Sequence, residues 1–314
     1  MRAERGLALA LWLGCTACSA DTLSLGAGRY RLADAGPDTG PVSGSDAAAD
    51  AAQADATISV EFAAPTELVG VAGANSKDDD PSLTRDLTLL YFDSRREGGS
   101  GKEDIWCATR SDVDAAWDTP TPVAELNTSV RETGLALSAD GLRIWFSSDR
   151  DGGAGGLDVY TAERSARALP FSAATRVAGL STAGDDLISA VDDAQQTAWL
   201  ARRDDDDDDY DLFVARRASA QGEWAAATAL AELNTDDEES DAFAVRGGQQ
   251  LIFTRSGDLY LTERGQDGRY GDALPLTSVN SEHDDRDAWA SDDLRTLVFS
   301  SNRSGRYLLY EAQR

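Results

Sequence analysis

Short apolar runs alternate with polar turns along most of the chain, and one order of anchors returns five times. In the second copy it reads Leu126-Asn127-Thr128, Glu132, Leu137-Ser138-Ala139-Asp140-Gly141, Ile144-Trp145-Phe146-Ser147-Ser148-Asp149-Arg150, then Leu157-Asp158-Val159-Tyr160. A central anchor stands at Tyr91-Phe92, Trp145-Phe146, Trp199-Leu200, Ile252-Phe253 and Val298-Phe299. A closing anchor stands at Ile105-Trp106, Val159-Tyr160, Leu212-Phe213, Leu259-Tyr260 and Leu309-Tyr310. An upstream polar pair stands at Asn75-Ser76, Asn127-Thr128, Ser181-Thr182, Asn234-Thr235 and Asn280-Ser281. The period is roughly 50 residues, a length that points to propeller blades rather than helical solenoids.

Four strands are predicted per copy. In the second copy, strand A covers Leu135 to Ser138, and the Asp140-Gly141 turn after it is a strong hairpin signal. Strand B covers Arg143 to Ser147, strand C Asp158 to Ala162, and strand D ends at the polar pair, as in Pro122 to Leu126. In strand B, Ile144 and Phe146 alternate with Arg143, Trp145 and Ser147, as a strand with two different faces requires. The last copy stops in strand C, while a spare strand D, Pro65 to Val69, precedes the first. The expected fold is therefore all-β: a propeller of five blades, each of four antiparallel strands, closed by the N-terminal strand completing the last blade. Closure removes the edges that an open sheet must protect.

Residues 1–18 read as a targeting segment. Arg2 and Arg5 precede a short apolar stretch, Gly6 to Gly14, too short to span a bilayer, and Cys15 and Cys18 follow. The segment resembles a bacterial lipoprotein signal, with Cys15 or Cys18 as the lipidated residue. Residues 19–57 are rich in Ala, Asp, Gly, Ser and Pro and lack the apolar mass to offset chain entropy, so a disordered linker is expected. Residues 58–314 form the propeller. This organisation implies a lipid-anchored protein of the bacterial cell envelope, facing the periplasm or the cell surface. Cys107 reads as a small strand residue.

Charge narrows the partners. The chain carries 56 acidic and 29 basic residues, a formal charge of −27, and one His. Such a surface repels phosphate backbones, which argues against nucleic acid, and it favours cations. The loops between strands B and C are rich in Asp and Gly. Asp149, Asp151 and Asp158 are weak candidates for a Ca²⁺ site, since Ca²⁺ takes hard oxygens at about 2.3–2.6 Å from flexible loops. The run Asp204 to Asp209 is a second acidic loop. No EF-hand or zinc spacing occurs, and no other cofactor is expected. His283, the one His, reads as an exposed loop residue, which leaves a Ser/His/Asp mechanism without support. The Gly98 to Lys102 stretch joins two strands and opens no helix, so it is a turn rather than a phosphate loop.

The second copy, from Trp117 and Pro120 through Tyr160, resembles the WD40-like (PD40) propeller repeat of the TolB family. The fourth, with Trp224, Leu233-Asn234-Thr235, Glu238 and Asp258-Leu259-Tyr260, matches nearly as well. The third replaces the Ser-Asp-Gly turn with Val191-Asp192-Asp193, and the fifth lacks the Asp before its closing anchor. The resemblance implies a propeller used for protein contacts and carries no catalytic residue across. The leading expectation is thus a non-enzymatic, envelope-anchored module that binds or scaffolds other envelope proteins. The competing expectation is a five-bladed glycoside hydrolase with paired carboxylates at the channel mouth, against which the regularity of the repeat counts. An enzyme requires two or three carboxylates within roughly 5–10 Å, at least one with a raised pKa; a scaffold has scattered, solvated acids.

Overall fold

The computed structural model describes residues 60–73, 75–204 and 209–314. The targeting segment, Cys15 and Cys18, the linker 19–57 and residues 205–208 of the acidic run lie outside the described residues. Among the described residues strand β1 (Thr66–Glu67) comes first. Blade 1 follows, from the channel outward: β2 (Asp78–Leu83), β3 (Leu89–Ser94), β4 (Asp104–Thr109) and β5 (Thr121–Pro122). Blade 2 holds β6 (Glu132–Leu137), β7 (Arg143–Ser148), β8 (Asp158–Glu163) and β9 (Thr175–Arg176). Blade 3 holds β10 (Asp185–Val191), β11 (Thr197–Arg203), β12 (Asp211–Arg216) and β13 (Thr228–Ala229). Blade 4 holds β14 (Glu239–Val245), β15 (Gln250–Arg255), β16 (Asp258–Glu263) and β17 (Leu274–Pro275). Blade 5 holds β18 (Asp285–Ala290), β19 (Thr296–Ser301) and β20 (Leu308–Gln313), and β1 completes it.

Closure follows the predicted route. Thr66 pairs with Glu311 and Glu67 with Tyr310, and the Leu68 amide donates to the Leu309 carbonyl at 2.9 Å. Leu68 and Val71 are buried between the first and last blades, and Phe62 between the fourth and the last. Strand B differs from the two-faced expectation. Phe146 packs with Leu89 and Tyr91 of blade 1, while Trp145 packs with Ile188 and Leu200 of blade 3. Each face of a blade meets a neighbouring blade, so both faces are buried.

The recurrent polar residues explain the register. In every blade the first or second residue of the inner strand is a fully buried acid: Asp78, Glu132, Asp186, Glu239 or Asp285. Each is met by the arginine that follows strand B or ends it: Arg96, Arg150, Arg202, Arg255 and Arg303. Each also accepts from the hydroxyl of the upstream pair: Ser76, Thr128, Thr182, Thr235 and Ser281. A buried carboxylate needs such partners to remain charged. The lock explains why β6 starts at Glu132, three residues before the predicted strand. In blades 1, 3 and 4 the Asn after the outer strand takes the place of a missing partner of the third strand: the Asn127 side chain accepts from the Ile105 amide at 2.8 Å and donates to its carbonyl at 3.0 Å, and Asn234 and Asn280 do the same at Leu212 and Leu259.

Every inner strand carries a bulge just beyond this lock, at the shifts Asp79/Ser82, Thr133/Leu135, Ile188/Ala190, Ser240/Phe243 and Arg286/Trp289. A bulge bends its strand and re-aims a side chain. The residue two beyond the locking acid is left-handed in four blades: Asp80 (φ 51°), Gly134 (58°), Asp241 (54°) and Asp287 (53°). Glycine adopts this conformation freely; among other residues Asp and Asn tolerate it best.

Candidate active site

Three bulges therefore turn an aspartate towards one point of the channel. One carboxylate oxygen each of Asp80, Asp241 and Asp287 lies within 4.8 Å of the others. The equivalent residues of blades 2 and 3 are Gly134 and Ile188, so the acidity is confined to blades 1, 4 and 5. The three line a chamber of about 160 Å³ together with Lys77, Asp79, Asp93, Thr133, Glu238 and Arg286.

These carboxyl groups are not electrostatically equivalent. Asp79 accepts from Ser300 Oγ at 2.6 Å and lies 3.1 Å from both Lys77 Nζ and Arg286 Nη2. Burial opposes its ionisation, but the charges of Arg286 and then Lys77 outweigh it and hold its pKa below the ordinary value. Among the described residues no cation pairs with Asp80. Burial, and then the negative charge of Asp241, lifts it to about 6, against hydrogen bonds from the Gly134 amide and Thr133 Oγ1, each at 2.8 Å. Asp287 is pushed well above the usual carboxylate range by burial and by Asp241, which the charge of Arg286 offsets only in part. Its Oδ2 is buried without a hydrogen-bond donor: Arg286 Nε is 3.3 Å away but not aligned to donate.

Asp93, in the chamber wall, is 2% exposed. Burial, followed by the charge of Asp80, raises its pKa strongly. Thr133 Oγ1 is within hydrogen-bond reach of both Asp80 and Asp93. A hydroxyl has a single proton to give, so one of the two carboxyls must supply its own. Burial assigns that proton to Asp93, which donates to Thr133, which donates to Asp80. At the rim, exposed Glu238 is raised by its partial desolvation and by the charge of Asp241.

The arrangement suits proton transfer. A carboxyl poised near 6 can hold and release a proton close to neutral pH, as general acid–base chemistry requires. It also suits a hard cation. Ca²⁺ at about 2.3–2.6 Å from each oxygen spans ligands up to roughly 5 Å apart, which the 4.8 Å spread meets. The donorless Asp287 Oδ2 is a fitting ligand atom.

The residues singled out from sequence lie elsewhere. Asp149 accepts from the Arg131 amide at 2.8 Å and from its Nε at 3.0 Å. Asp158 is fully buried, accepts from the Ala154 amide at 2.7 Å and braces the loop before its own strand. Asp151 is exposed. His283 is an exposed loop residue, and Cys107 a half-buried strand residue with a free thiol.

Two expectations are corrected. The reading of a non-enzymatic protein-binding module predicts scattered, solvated acids, whereas the structure gathers Asp80, Asp241 and Asp287 into one chamber with Asp80 and Asp287 raised. The regularity of the repeat does not count against a specialised site, because the bulge position varies between blades while the lock beside it stays constant. Aligning the copies on the locking acid exposes the signal: Asp80, Gly134, Ile188, Asp241 and Asp287 stand two residues later.

No family model matches the chain, and no curated protein matches it in sequence. Among solved structures it is similar to an endo-arabinase from Bacteroides thetaiotaomicron, with 11% identity, 76% of this chain and 94% of the other covered, and a TM-score of 0.51. It is equally similar to a thermostable family-43 glycoside hydrolase, with 9% identity, 79% and 91% covered, and a TM-score of 0.51. A structure assigned as TolB from Agrobacterium tumefaciens is 14% identical over 71% of this chain and 69% of its own, with a TM-score of 0.46. At these identities the first two likenesses establish a shared fold, a five-bladed propeller.

Proposed function

We infer that the chain is a glycoside hydrolase working at the acidic mouth of the channel, with Asp80 as the acid/base and Asp241 as its partner carboxylate. The observation that carries this is the raised carboxyl of Asp80 beside Asp241. Asp80 is lifted to about 6 by burial and by the charge of Asp241, and the two approach within 4.8 Å. A group near 6 holds and releases a proton close to neutral pH, as protonation of a leaving glycosidic oxygen requires. Asp287, kept protonated, acts as a neutral hydrogen-bond donor to the bound sugar, and the Asp93–Thr133 pair fixes the orientation of Asp80.

The chamber, about 160 Å³, is smaller than a drug-sized pocket and suits one sugar ring at a chain end. Its excess of acids disfavours uronic or sulfated sugars and favours neutral or basic ones. The fold shared with an endo-arabinase and a family-43 hydrolase is an analogy in support; the carboxylates are the physical ground. A second occupant fits the same oxygens. Ca²⁺ held by Asp80, Asp241 and Asp287 would neutralise the cluster and orient a substrate hydroxyl. Residues 1–18 support an enzyme tethered to the cell envelope through Cys15 or Cys18.

The test is release of reducing sugar or aryl alcohol from a panel of neutral and amino-sugar aryl glycosides and oligosaccharides, with and without Ca²⁺. The wild-type chain is expected to turn over at least one substrate. Asp80→Asn and Asp241→Asn should lose about 10²-fold or more. Wild-type rates no higher than those of both variants across the panel would end this assignment.

A further inference from the structure

The opposite end of the channel holds a second chamber of different chemistry, about 310 Å³ in volume. It arises from one position of the repeat. Four residues beyond the locking acid, blades 1, 2 and 3 place Ser82, Ala136 and Ala190, while blades 4 and 5 place Phe243 and Trp289. Small side chains on three sides leave the space, and two aromatic rings, 5.9 Å apart at 51°, wall the other two. A constriction of about 10 Å³ shares Phe243 with this chamber and the three aspartates with the acidic one.

The mouth of the apolar chamber is anionic. Asp193 of blade 3 and Asp292 of blade 5 face each other across it, and the Arg85 side chain of blade 1 reaches in to pair with both. One guanidinium thus serves two carboxylates, and Arg246 approaches only one of them: its amide donates to Asp292 Oδ1 at 3.3 Å and its Nε to the Asp292 carbonyl at 3.4 Å. Arg85 is about 60% exposed, so its place between the acids is open to exchange. Asp192, beside them, is already committed: its Oδ1 accepts from the Gln196 and Thr197 amides at 2.6 and 3.0 Å.

We propose that this chamber is a binding site for a small organic monocation with an apolar body, of the aryl- or alkylammonium class. The body fills the space beside Trp289 and Phe243, and the ammonium takes a position between Asp193 and Asp292 beside or in place of the Arg85 guanidinium. Aromatic faces attract such cations, and the attraction grows when water is excluded. The net charge of −27 raises the local concentration of any cation. A neutral isostere keeps only the apolar contact, and an anionic one meets the carboxylates of Asp193 and Asp292. The site is separate from the acidic chamber and stands whether or not that chamber hydrolyses glycosides.

The experiment is calorimetric titration of the full chain at low salt with benzyltrimethylammonium, benzyl alcohol and benzoate. Expected is binding of the cation at least tenfold tighter than the alcohol, with benzoate weakest. Asp292→Asn, an exposed change, should narrow the gap between cation and alcohol, as should added salt. Ala190→Leu should fill the chamber and abolish binding of both. Should that variant not fold, quenching of Trp289 fluorescence by the cation, lost in Trp289→Phe, places the ligand instead. Equal binding of cation and alcohol, tighter binding of benzoate, or no binding by any of the three overturns the proposal.

Discussion

Asp80 and Asp241 occupy the same bulge position in blades 1 and 4, with φ of 51° and 54°, and bring carboxylate oxygens within 4.8 Å of one another. Neither the left-handed backbone nor the proximity of like charges is favourable, so the surrounding blades must hold both in place. The stability consequence has a definite sign. The folded-state pKa of Asp80 is raised from 3.8 to about 6. Between those values the folded state binds more protons than the unfolded, so this contribution is present at low pH and lost as pH rises through 6. The loss is at most about 3 kcal/mol at neutral pH. Asp80→Asn keeps an acceptor for the Gly134 amide and removes the charge. The variant should melt above wild type at pH 7.5, by up to roughly 5–10 °C, with the gap closing near pH 4. A variant that melts lower at pH 7.5 would contradict the electrostatic account.

The blades were legible because their determinants recur. Tyr91-Phe92 and its four equivalents face neighbouring blades on both sides, so no copy could lose its anchor without opening an interface. The N-terminal closing strand was legible for the same reason, as a fourth strand missing from the last copy. The site was not. Among 56 acidic residues one more Asp carries no information. What distinguishes Asp80 from Asp78 is a left-handed bulge and the lack of an arginine, and neither is written in the local sequence. The Asp149 loop drew notice because it is rich in Asp and Gly, yet its acids meet backbone and arginine donors.

Divalent cations separate two uses of the triad. If Asp80, Asp241 and Asp287 take Ca²⁺, binding to the folded state alone stabilises it by about 2.7 kcal/mol at a hundred times Kd. For a propeller of this size the melting temperature should rise by roughly 5–10 °C. Chelation should reverse the rise, and Asp287→Asn should abolish it. A shift that persists in Asp287→Asn but disappears in Asp149→Asn would move the ion to the loop between strands B and C.

The locks should dominate stability in a way that surface pairs do not. Arg150 Nη2 reaches Glu132 Oε1 at 3.1 Å and the Leu126 carbonyl at 2.8 Å, and Glu132 is fully buried. Arg150→Met leaves that carboxylate with only hydroxyl and amide donors, at a cost of about 3–5 kcal/mol. Arg295→Met, which breaks an exposed pair with Asp293, should cost less than about 1 kcal/mol. Denaturant unfolding of the two variants checks the contrast, and equal costs would show that the lock is not what holds the inner strand.

Ring closure rests on few residues. Leu68 is 4% exposed, and its amide ties β1 to β20. Leu68→Ala should cost about 2–5 kcal/mol, a large part of the stability of a typical domain. Hydrogen exchange should show the loss first at β20, whose outer edge β1 covers, and next at β19. Uniform loss across all five blades would mean that the ring opens elsewhere or unfolds as one unit.

The separation of the acids also predicts a stereochemical outcome. Inverting glycosidases keep their carboxyl groups about 6.5–9.5 Å apart to admit a water between acid and base, whereas retaining ones hold them about 5–5.5 Å apart. The approach of Asp80 and Asp241 to within 4.8 Å belongs with the shorter spacing. Hydrolysis should therefore release the sugar with its anomeric configuration retained, through attack by Asp241 while Asp80 protonates the leaving oxygen. The first-formed anomer, followed by proton NMR before mutarotation, decides this. Inversion would remove Asp241 as the nucleophile and direct the search for a base to a more distant acid, with Glu238 at the rim the first to replace.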